Sequence, residues 1–332
     1  MCVVMRFFQP TTNPNNAVEV RGLKKIYASS EKSAPKDALK DINLTIPKGS
    51  FFALLGPNGA GKSTFINILA GLVVKTAGEA KVWGYDIIDD MRAARRCIGV
   101  VPQELNLDAF FTPREVLDLQ AGLFGIPENA RRTDEILEAV GLADKANAYA
   151  RSLSGGMRRR LLVGKAMVHS PPVLILDEPS AGVDVDLRRQ LWSHVKALNT
   201  SGTTVLLTTH YLEEAEAMCD TIGIINHGQL IACEKTPDLL GRLDSKQMVI
   251  TVDQNLDAVP KALTAFATEL RDARVLQISF PPSRVNAGQV LAAVSDAGLS
   301  VVDVVTREAD LEDIFVNLTH ADNMAGTVQA ST

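Results

Sequence analysis

The chain has 332 residues, 46% of them hydrophobic and 22% charged, which is ordinary for a folded protein and excludes disorder as its dominant state. Its net charge of −5 at pH 7 argues against life on a nucleic-acid backbone, since such domains carry a basic excess, and we expect no nucleic-acid partner. The four cysteines show neither C-x-x-C nor histidine spacing, so neither a disulfide scaffold nor a zinc site is indicated.

The first residues predict a tail and then short strands. The segment QPTTNPNN is rich in proline, asparagine and threonine, so we expect residues 1–16 to be a disordered tail and the fold to start near Ala17. From there to FFALL, apolar and polar residues alternate as in strands, with SSEKSAPKD as a surface loop. The opening apolar block is too short for a secretory signal, and no uncharged apolar run approaches the roughly 20 residues of a membrane helix, so we expect a cytosolic chain.

The next feature is a glycine-rich segment between a strand and a helix. GPNGAGKST follows FFALL and precedes the helical run TFINILAGL, which is the P-loop pattern G-x-x-x-x-G-K-S. In this pattern glycine backbone approaches phosphate closely and the amide N–H groups point inward. The predicted nucleotide-binding residues are Gly56, Pro57, Asn58, Gly59, Ala60, Gly61, Lys62, Ser63 and Thr64.

The middle of the chain predicts a helical insertion followed by a parallel sheet. Strands are indicated in GEAKVWGYDI and RRCIGVVPQE, whereas residues 113–151 show helix-period apolar positions, so we expect a helical subdomain over about 104–160. PPVLILDEPS and TTVLLTTH are near-continuous apolar runs, typical of strands buried on both faces. The helical segments DLRRQLWSHVKALN and LEEAEAMCD complete βαβ units.

An acidic pair at the end of the first apolar run is the second element that a nucleotide site with a P-loop requires. Asp177 and Glu178 stand at the carboxyl end of a predicted strand, where open α/β sheets bind their ligands. We expect Lys62 to neutralise β- and γ-phosphate oxygens, and Ser63 and Asp177 to hold Mg²⁺. Glu178 is then free to act as general base for the attacking water. The alternative is that the pair only caps the start of a helix.

A second anion-binding end is indicated by RSLSGGMRRR. Ser154, Gly155 and Gly156 open a basic helix with a hydroxyl, bare backbone N–H groups and a positive dipole. Because the chain already has one phosphate cradle, this end suggests a second ligand or the nucleotide of a neighbouring copy. The alternative is an ordinary helix capped by Ser154, with residues 158–160 solvated.

Beyond residue 242 the pattern changes. MVITV, VLQISF and VVDVVT read as strands, and AVPKALTAFATEL, AGQVLAAVSDAG and DLEDIFVNL read as helices. We therefore expect a small α+β domain over 243–320, with Leu311, Ile314, Phe315 and Leu318 packing as one apolar face, and a frayed tail over 321–332.

In order, GPNGAGKST, VVPQE, LSGGMRRR, LILDEPSAGVD and TTHYLEEAE resemble the nucleotide-binding subunits of ABC transporters over residues 17–235. The resemblance implies an α/β fold: a P-loop NTPase cassette over 17–242, whose mixed sheet core has an antiparallel β part and a helical insertion, followed by the small α+β domain. It makes residues 56–64 the Walker A loop and the Asp177–Glu178 pair the Walker B end.

Further roles are implied position by position. Gln103 becomes the Q-loop residue that reaches Mg²⁺ and links the core to the insertion, and residues 154–156 become the signature that binds γ-phosphate across a dimer. Asp184 matches the D-loop and His210 the switch histidine that contacts γ-phosphate. Tyr27 matches the aromatic that stacks on adenine. Without the resemblance, Gln103 would be a surface glutamine, and His210 and Tyr27 core residues.

The function implied is that of an ATP-hydrolysing subunit. It would bind ATP and Mg²⁺, form a homodimer or paired cassette with ATP at the interface, and dock a separate integral membrane subunit at the cytoplasmic face of the inner membrane. Met157 with its trailing arginines, SAGVDVD and TREADLEDIFVNLT are similar to the branch that serves drug, antibiotic or polysaccharide exporters. Phe110 and Phe111 are candidates to line the docking groove, although core packing is the alternative for at least one of them.

Three other functions stay open at this point. A soluble ABC ATPase could act on ribosomes or DNA, although one cassette without heptads and an acidic balance count against it. A small-molecule kinase or GTPase would share the P-loop but would explain neither the signature nor His210. Import instead of export is the alternative within the transporter class, and the sequence does not identify the cargo.

Overall fold

The computed structural model describes residues 14–28, 35–104, 106–180, 185–242 and 246–308, with Leu311, Glu312, Ile314, Phe315 and Leu318 beyond them. The side chains of Asp186, Leu187 and Glu308 are outside this description. Asp184, most of the predicted SSEKSAPKD loop and the predicted C-terminal tail also lie outside the described residues. The chain divides into two compact units, Met1–Lys235 and Thr236–Thr332. The structure therefore places the boundary after Lys235, seven residues before the boundary after residue 242 that the sequence predicts.

Both units contain strands as well as helices. The strands are β1 (Asn16–Tyr27), β2 (Lys36–Pro47), β3 (Phe51–Leu55), β4 (Ala77–Val82), β5 (Tyr85–Asp86), β6 (Ile98–Val101), β7 (Val173–Asp177), β8 (Thr204–Thr208), β9 (Thr221–Asn226), β10 (Gln229–Lys235), β11 (Lys246–Val252), β12 (Ala267–Asp272), β13 (Val275–Phe280) and β14 (Val301–Glu308). The helices are α1 (Lys62–Leu69), α2 (Met91–Arg96), α3 (Pro113–Leu123), α4 (Thr133–Ala139), α5 (Gly155–Met167), α6 (Val185–Thr200), α7 (Leu212–Met218), α8 (Thr236–Leu240) and α9 (Ala287–Asp296). Short 3₁₀ turns occur at Glu128–Ala130, Ala143–Lys145, Ala150–Ser152 and Lys261–Leu263.

The first unit is built on a six-stranded sheet in the order β10-β9-β3-β8-β7-β6. Strands β9, β3, β8, β7 and β6 are parallel, and β10 pairs antiparallel with β9. Every residue of β3 and β8 is buried, which explains why both read as continuous apolar runs. Because β3, β8 and β7 are neighbours, the segments that follow their carboxyl ends meet at one edge of the sheet.

The first unit also contains an antiparallel sheet in the order β2-β1-β4-β5. Its longest pairing is β1 with β2, and this pairing ends at Tyr27 opposite Lys36. The Lys40 amide donates to the Gly228 carbonyl oxygen at 2.7 Å, which joins β2 to the turn between β9 and β10. The end of β1 is thereby held beside the loop that follows β3.

The predicted helical insertion is formed by α3, α4 and α5, which share a core of their own. Thr112 and Glu115 form a capping box at the start of α3, and Pro113 occupies its first turn, so this boundary is encoded locally. Leu117, Leu137 and Leu161 are buried in the shared core. The shared core therefore fixes the position of α5, including its first residues, relative to α3 and α4.

The second unit contains an antiparallel sheet in the order β12-β13-β11-β14, against which α9 packs. The helix predicted over AVPKALTAFATEL is wrong: this stretch forms a 3₁₀ turn and then β12. Pairing of β12 with β13 supplies the backbone hydrogen bonds that a helix would otherwise supply, so the tertiary contact overrides the apolar periodicity. Leu311 and Ile314 are buried, as expected for the apolar face of the terminal segment.

Candidate active site

The loop between β3 and α1 requires glycine at two positions. A Cβ at Gly56 would lie 2.3 Å from the carbonyl oxygen of Ile225. At Gly61 the φ angle is 119°, and a Cβ would lie 2.6 Å from the carbonyl oxygen of Ala38. The loop therefore packs closely against β9 and β2. Because these glycines have no side chains, a ligand can approach the loop backbone closely.

Lys62 lies inside this loop, with 7% of its surface exposed. Its Nζ donates to the carbonyl oxygens of Gly56 at 2.6 Å and Pro57 at 3.2 Å. Burial lowers the pKa of Lys62, and the nearby carboxylates of Glu178 and Asp177 act in the opposite direction. An ammonium has three donors, so these two bonds within the described residues leave a third for a phosphate oxygen.

One open pocket of about 200 Å³ is lined by predicted site residues from four parts of the chain. Its lining includes Tyr27 and Lys36 from the antiparallel sheet, residues 58, 59 and 61–64 from the loop, and Gln103 and Glu178. Tyr27 is 40% exposed, so it is not a core tyrosine. The Nζ of Lys25 lies 4.8 Å from the centre of the Tyr27 ring. The pocket therefore offers an aromatic face at one side and a phosphate cradle at the other.

The end of β7 is tied to the neighbouring strand through Asp177. Thr208 Oγ1 donates to Asp177 Oδ1 at 2.5 Å, and the two residues face each other in the register of β7 and β8. Burial raises the pKa of Asp177, while the Thr208 hydrogen bond lowers it. Sequence reasoning missed Thr208, although its place at the carboxyl end of an adjacent buried strand was a usable signal.

Glu178 is the point where three predicted residues meet. Its φ angle is 46°, and its amide N–H donates to Thr208, at 3.0 Å to the carbonyl oxygen and 3.2 Å to Oγ1. Gln103 Nε2 donates to Glu178 Oε2 at 3.0 Å, and His210 Nδ1 lies 3.3 Å from the same oxygen. Half of the His210 side chain is exposed, so it is not a core histidine. The carboxylate therefore faces the pocket with a fixed orientation.

The predicted signature lies at the start of α5 and does not line the pocket. Ser154 is the N-cap residue, and its Oγ accepts from the Met157 amide at 3.2 Å. Ser154 and Gly155 are exposed, whereas Gly156 is buried. The capping role is therefore present, and the exposed hydroxyl and glycine remain available to a group from outside this chain.

The arginines after the signature donate hydrogen bonds to carbonyl groups, contrary to the alternative in which residues 158–160 are solvated. Arg159 is 4% exposed, and its Nη1 donates to the Pro102 carbonyl oxygen at 2.8 Å. Arg158 Nε donates to Leu153, and Arg160 Nη1 donates to Val140 and Gly141. Burial lowers the pKa of Arg159, and the charge of Asp177 opposes this effect. These side chains fasten α5 to its surroundings.

The donor set suits Mg²⁺ in the manner of nucleotide sites. Among the described residues, no group of three or more histidine, cysteine, aspartate or glutamate side chains is arranged to hold a metal. Mg²⁺ prefers oxygen ligands and usually takes one or two protein oxygens together with phosphate oxygens. The hydroxyl of Ser63 and the carboxylate of Asp177 are oxygen donors of this kind, beside the phosphate loop.

A separate cavity of about 390 Å³ lies between β6 and the insertion helices α3 and α5. Leu72, Arg95, Gln120, Phe124 and Lys165 are among its lining residues. Phe110 and Phe111, the predicted groove residues, are exposed but lie outside this lining. No helix in the described part of the chain has the length and apolarity of a membrane span.

Comparison with known proteins agrees with this geometry. The family model described as "ABC transporter" matches residues 39–181. The Linearmycin resistance ATP-binding protein LnrL of Bacillus subtilis is 36% identical, over 91% of this chain and 98% of that protein. A Nod factor export ATP-binding protein I of Cupriavidus pinatubonensis is 37% identical, over 91% and 90%. The Daunorubicin/doxorubicin resistance ATP-binding protein DrrA of Streptomyces peucetius is 35% identical, over 93% and 94%.

Solved structures give the same result for the first unit. A post-hydrolysis dimer of the ATP-binding cassette MJ0796, bound to ADP and Pi, is 30% identical with a TM-score of 0.59, covering 66% of this chain and 98% of that chain. An ATP-binding subunit of an ABC transporter is 29% identical with a TM-score of 0.61, covering 68% and 92%. The predicted cassette fold is confirmed, and the small-molecule kinase or GTPase alternative is wrong. Identity above 30% over nine-tenths of the chain fixes the family: this protein belongs to the ATP-binding subunits of ABC transporters, and it is an ATPase.

Proposed function

We propose that this chain powers export through a separate membrane subunit, by binding ATP and Mg²⁺ and hydrolysing the ATP as a dimer. The observation that carries the proposal is the Glu178 carboxylate, held by Gln103 and His210 in the pocket that contains the phosphate loop. The printed names of relatives, which are resistance and export proteins, favour export over import.

Each side chain of the pocket has a proposed role that follows from its chemistry. Tyr27 stacks on adenine, the amides of residues 56–64 and Lys62 bind phosphate oxygens, and Ser63, Asp177 and Gln103 hold Mg²⁺. Bound Mg²⁺ supplies positive charge against the phosphate oxygens. Glu178 accepts the proton of the attacking water, because its carboxylate is the base held nearest to the phosphate loop by neighbouring donors.

His210 Nδ1 lies beside Glu178 Oε2, so the hydrogen bond there needs a proton on Nδ1. His210 can also donate from Nε2 to a γ-phosphate oxygen only when both of its ring nitrogens carry a proton. Gln103 approaches the same carboxylate from the side of the insertion. The Glu178 carboxylate is thus oriented by Gln103 and by His210. A movement of either residue would change the orientation of the carboxylate.

A dimer is proposed because the signature cannot serve its own pocket. Residues 154–156 are absent from the lining of the nucleotide pocket, and each chain has one such signature and one phosphate loop. Two copies arranged head to tail would place the exposed Ser154 hydroxyl of each against the γ-phosphate held by the other. Loss of that phosphate on hydrolysis removes the shared contact and lets the pair open. Asp184, in the D-loop match, is proposed to lie at this interface.

The membrane subunit is proposed to dock in the cavity between β6 and the insertion. Its lining combines Leu72 and Phe124 with the cationic side chains of Arg95 and Lys165, which suits a helix end carrying apolar residues and a carboxylate. The chain would then be a peripheral protein of the cytoplasmic face of the inner membrane, where ATP is available. Because Gln103 lies two residues after the end of β6, the proposed docking site and the catalytic pocket are joined through one strand.

The dimer is tested by light scattering on the full chain. Glu178→Gln should retain ATP and form an ATP-dependent dimer, and adding Ser154→Arg should leave ATP binding intact but keep the protein monomeric. Ser201→Arg, an exposed serine after α6, is the control and should still dimerise. A Glu178→Gln, Ser154→Arg double variant that still dimerises with ATP would refute the shared site.

The membrane partner is tested by purification of the tagged chain from detergent-solubilised native membranes. A polytopic membrane protein in stoichiometric amount is expected, whereas ribosomal or DNA-repair proteins without it would support a soluble ABC ATPase. Leu72→Glu should abolish the association. Leu123→Glu is a matched control, since Leu72 and Leu123 are 74% and 75% exposed but only Leu72 lines the cavity. Equal retention by both variants would exclude this cavity as the docking site.

A further inference from the structure

A buried glutamate in α7, Glu214, joins three parts of the first unit. Only 8% of its surface is exposed. Its Oε2 accepts from Ser180 Oγ at 2.8 Å and from Thr209 Oγ1 at 3.2 Å. Its Oε1 accepts from Trp192 Nε1 at 3.3 Å and lies 3.6 Å from Arg188 Nε. A carboxylate buried with this many partners is well satisfied and defines one arrangement of the segments it joins.

Two of these partners are immediate neighbours of the proposed catalytic pair. Ser180 is two residues after Glu178, with Pro179 between them, and Thr209 directly precedes His210. A single oxygen of Glu214 therefore ties the segment that carries the base to the segment that carries the histidine. Thr209 Oγ1 also accepts from the Tyr211 amide at 3.0 Å, so the backbone on both sides of His210 is fixed.

Helix α6 gives this junction its outer support. Trp192 is buried and bonded to Glu214, and the Arg188 guanidinium lies 4.8 Å from the ring of Tyr211. The Tyr211 ring in turn lies 4.2 Å from the His210 ring. Glu214 and its neighbours thus restrain His210 both through the backbone and through its aromatic neighbour.

From these contacts we infer that Glu214 is a positioning residue for ATP hydrolysis, which holds Glu178 and His210 at their short separation without touching the nucleotide. The inference rests on the catalytic roles proposed for Glu178 and His210. A restraint is needed there because Glu178 adopts a strained φ of 46° and the His210 side chain is half exposed.

The chemistry of the junction predicts a difference between two substitutions. Glu214→Ala removes all four contacts, whereas Glu214→Gln keeps the size of the side chain. The glutamine Oε1 can still accept from Trp192, and its Nε2 can donate to the hydroxyls of Ser180 and Thr209 after these reverse their roles. We expect Glu214→Ala to lower kcat by about 10- to 100-fold, since a displacement on the order of 1 Å has that effect on an aligned site. Glu214→Gln should stay within about threefold of the wild type.

The measurement is steady-state ATP hydrolysis by the full chain, with kcat separated from KM. Glu214→Ala should change KM for ATP by less than about twofold, because Tyr27 and the phosphate loop are untouched. Asn199→Ala is the matched control: it removes two hydrogen bonds, to the carbonyl oxygens of Gly49 and Thr203, at the far end of α6. The control should lower thermal stability but leave kcat unchanged.

The His210→Ala background distinguishes positioning from general destabilisation. If Glu214 acts through His210, adding Glu214→Ala to His210→Ala should lower kcat by less than about twofold further. If Glu214→Ala does not fold, Ser180→Ala removes one of its donors with a small change of volume and should lower kcat about threefold or more with KM unchanged. Wild-type kcat in the folded variant would overturn the inference, and so would a fully additive effect of Glu214→Ala in both the His210→Ala and the Glu178→Gln backgrounds. Wild-type activity of His210→Ala itself would instead refute the proposed role of His210.

Discussion

Replacing Glu178 by glutamine separates the chemistry of this residue from its structural role. One carboxylate oxygen, Oε2, meets both Gln103 Nε2 and His210 Nδ1. The glutamine side chain has the same length and can place its single carbonyl oxygen at that position, so both contacts can be kept. The substitution then removes the charge and the basicity, and little else.

The magnitude follows from these contacts. Because both hydrogen bonds survive, the free energy of unfolding should change by less than about 1 kcal/mol. Loss of a general base lowers the rate by about 10² to 10⁴, which corresponds to about 2.7 to 5.4 kcal/mol in the activation free energy. Lys62 loses one of the two carboxylates that raise its pKa but keeps Asp177 and its two carbonyl hydrogen bonds, so ATP binding should persist.

The assay is ATP turnover together with equilibrium binding of a fluorescent ATP analogue. Glu213→Gln is the matched control, since it makes the same chemical change at an exposed residue three positions after His210 and should leave kcat unchanged. Turnover by Glu178→Gln within about threefold of the wild type, with binding intact, would remove Glu178 from the role of base. Loss of binding and of thermal stability together would instead show that its charge holds the pocket in shape.

Three further predictions follow from individual contacts. Gly61→Ala should abolish ATP binding and lower the free energy of unfolding by more than about 2 kcal/mol, because it adds a clash with Ala38 to backbone strain. Gly202→Ala is the control, since Gly202 has a φ of 98° and open space around it, so that this variant carries the strain alone. Equal shifts of the melting temperature for the two variants would contradict this reasoning. Tyr27→Ala should weaken ATP binding on the order of tenfold while Tyr27→Phe keeps it, and equal binding by all three proteins would exclude stacking. Burial lowers the pKa of His169 to about 4, so the unfolded chain takes up this proton first as pH falls. About 3 kcal/mol of stability should therefore be lost between about pH 6.5 and pH 4, and His169→Gln should show a smaller loss of thermal stability over that range.

The sequence predicted best where local chemistry fixes the geometry. Gly56 and Gly61 stand in the loop at positions where a side chain would clash with neighbouring backbone, so the glycines indicate the path of the loop. The apolar runs of β7 and β8 identify strands buried on both faces. The positions of Glu178 and His210 follow from these two strands, because each residue lies just beyond a carboxyl end. Their common edge was therefore predictable without knowledge of the remaining fold.

Other features depend on contacts between distant segments and were not predictable. A run of three arginines in a helix reads as solvated, and only the arrangement of α5 beside the end of β6 shows that Arg159 is buried against Pro102. The carboxylate of Glu214 looks like an ordinary acidic residue in the first turn of α7 until Ser180 and Thr209 are brought to it. In the second unit, pairing with β13 turned a predicted helix into β12.

In the proposed dimer, the buried guanidinium of Arg159 would connect the two nucleotides. Its helix is capped by Ser154, which would meet the nucleotide bound by the partner. Its Nη1 donates to the carbonyl oxygen of Pro102, next to Gln103, and Gln103 donates to the proposed base Glu178. Displacement of α5 by one ATP would be transmitted through this bond to the base that acts on the other. The occupancy of one pocket would then affect the other through the six residues from Ser154 to Arg159.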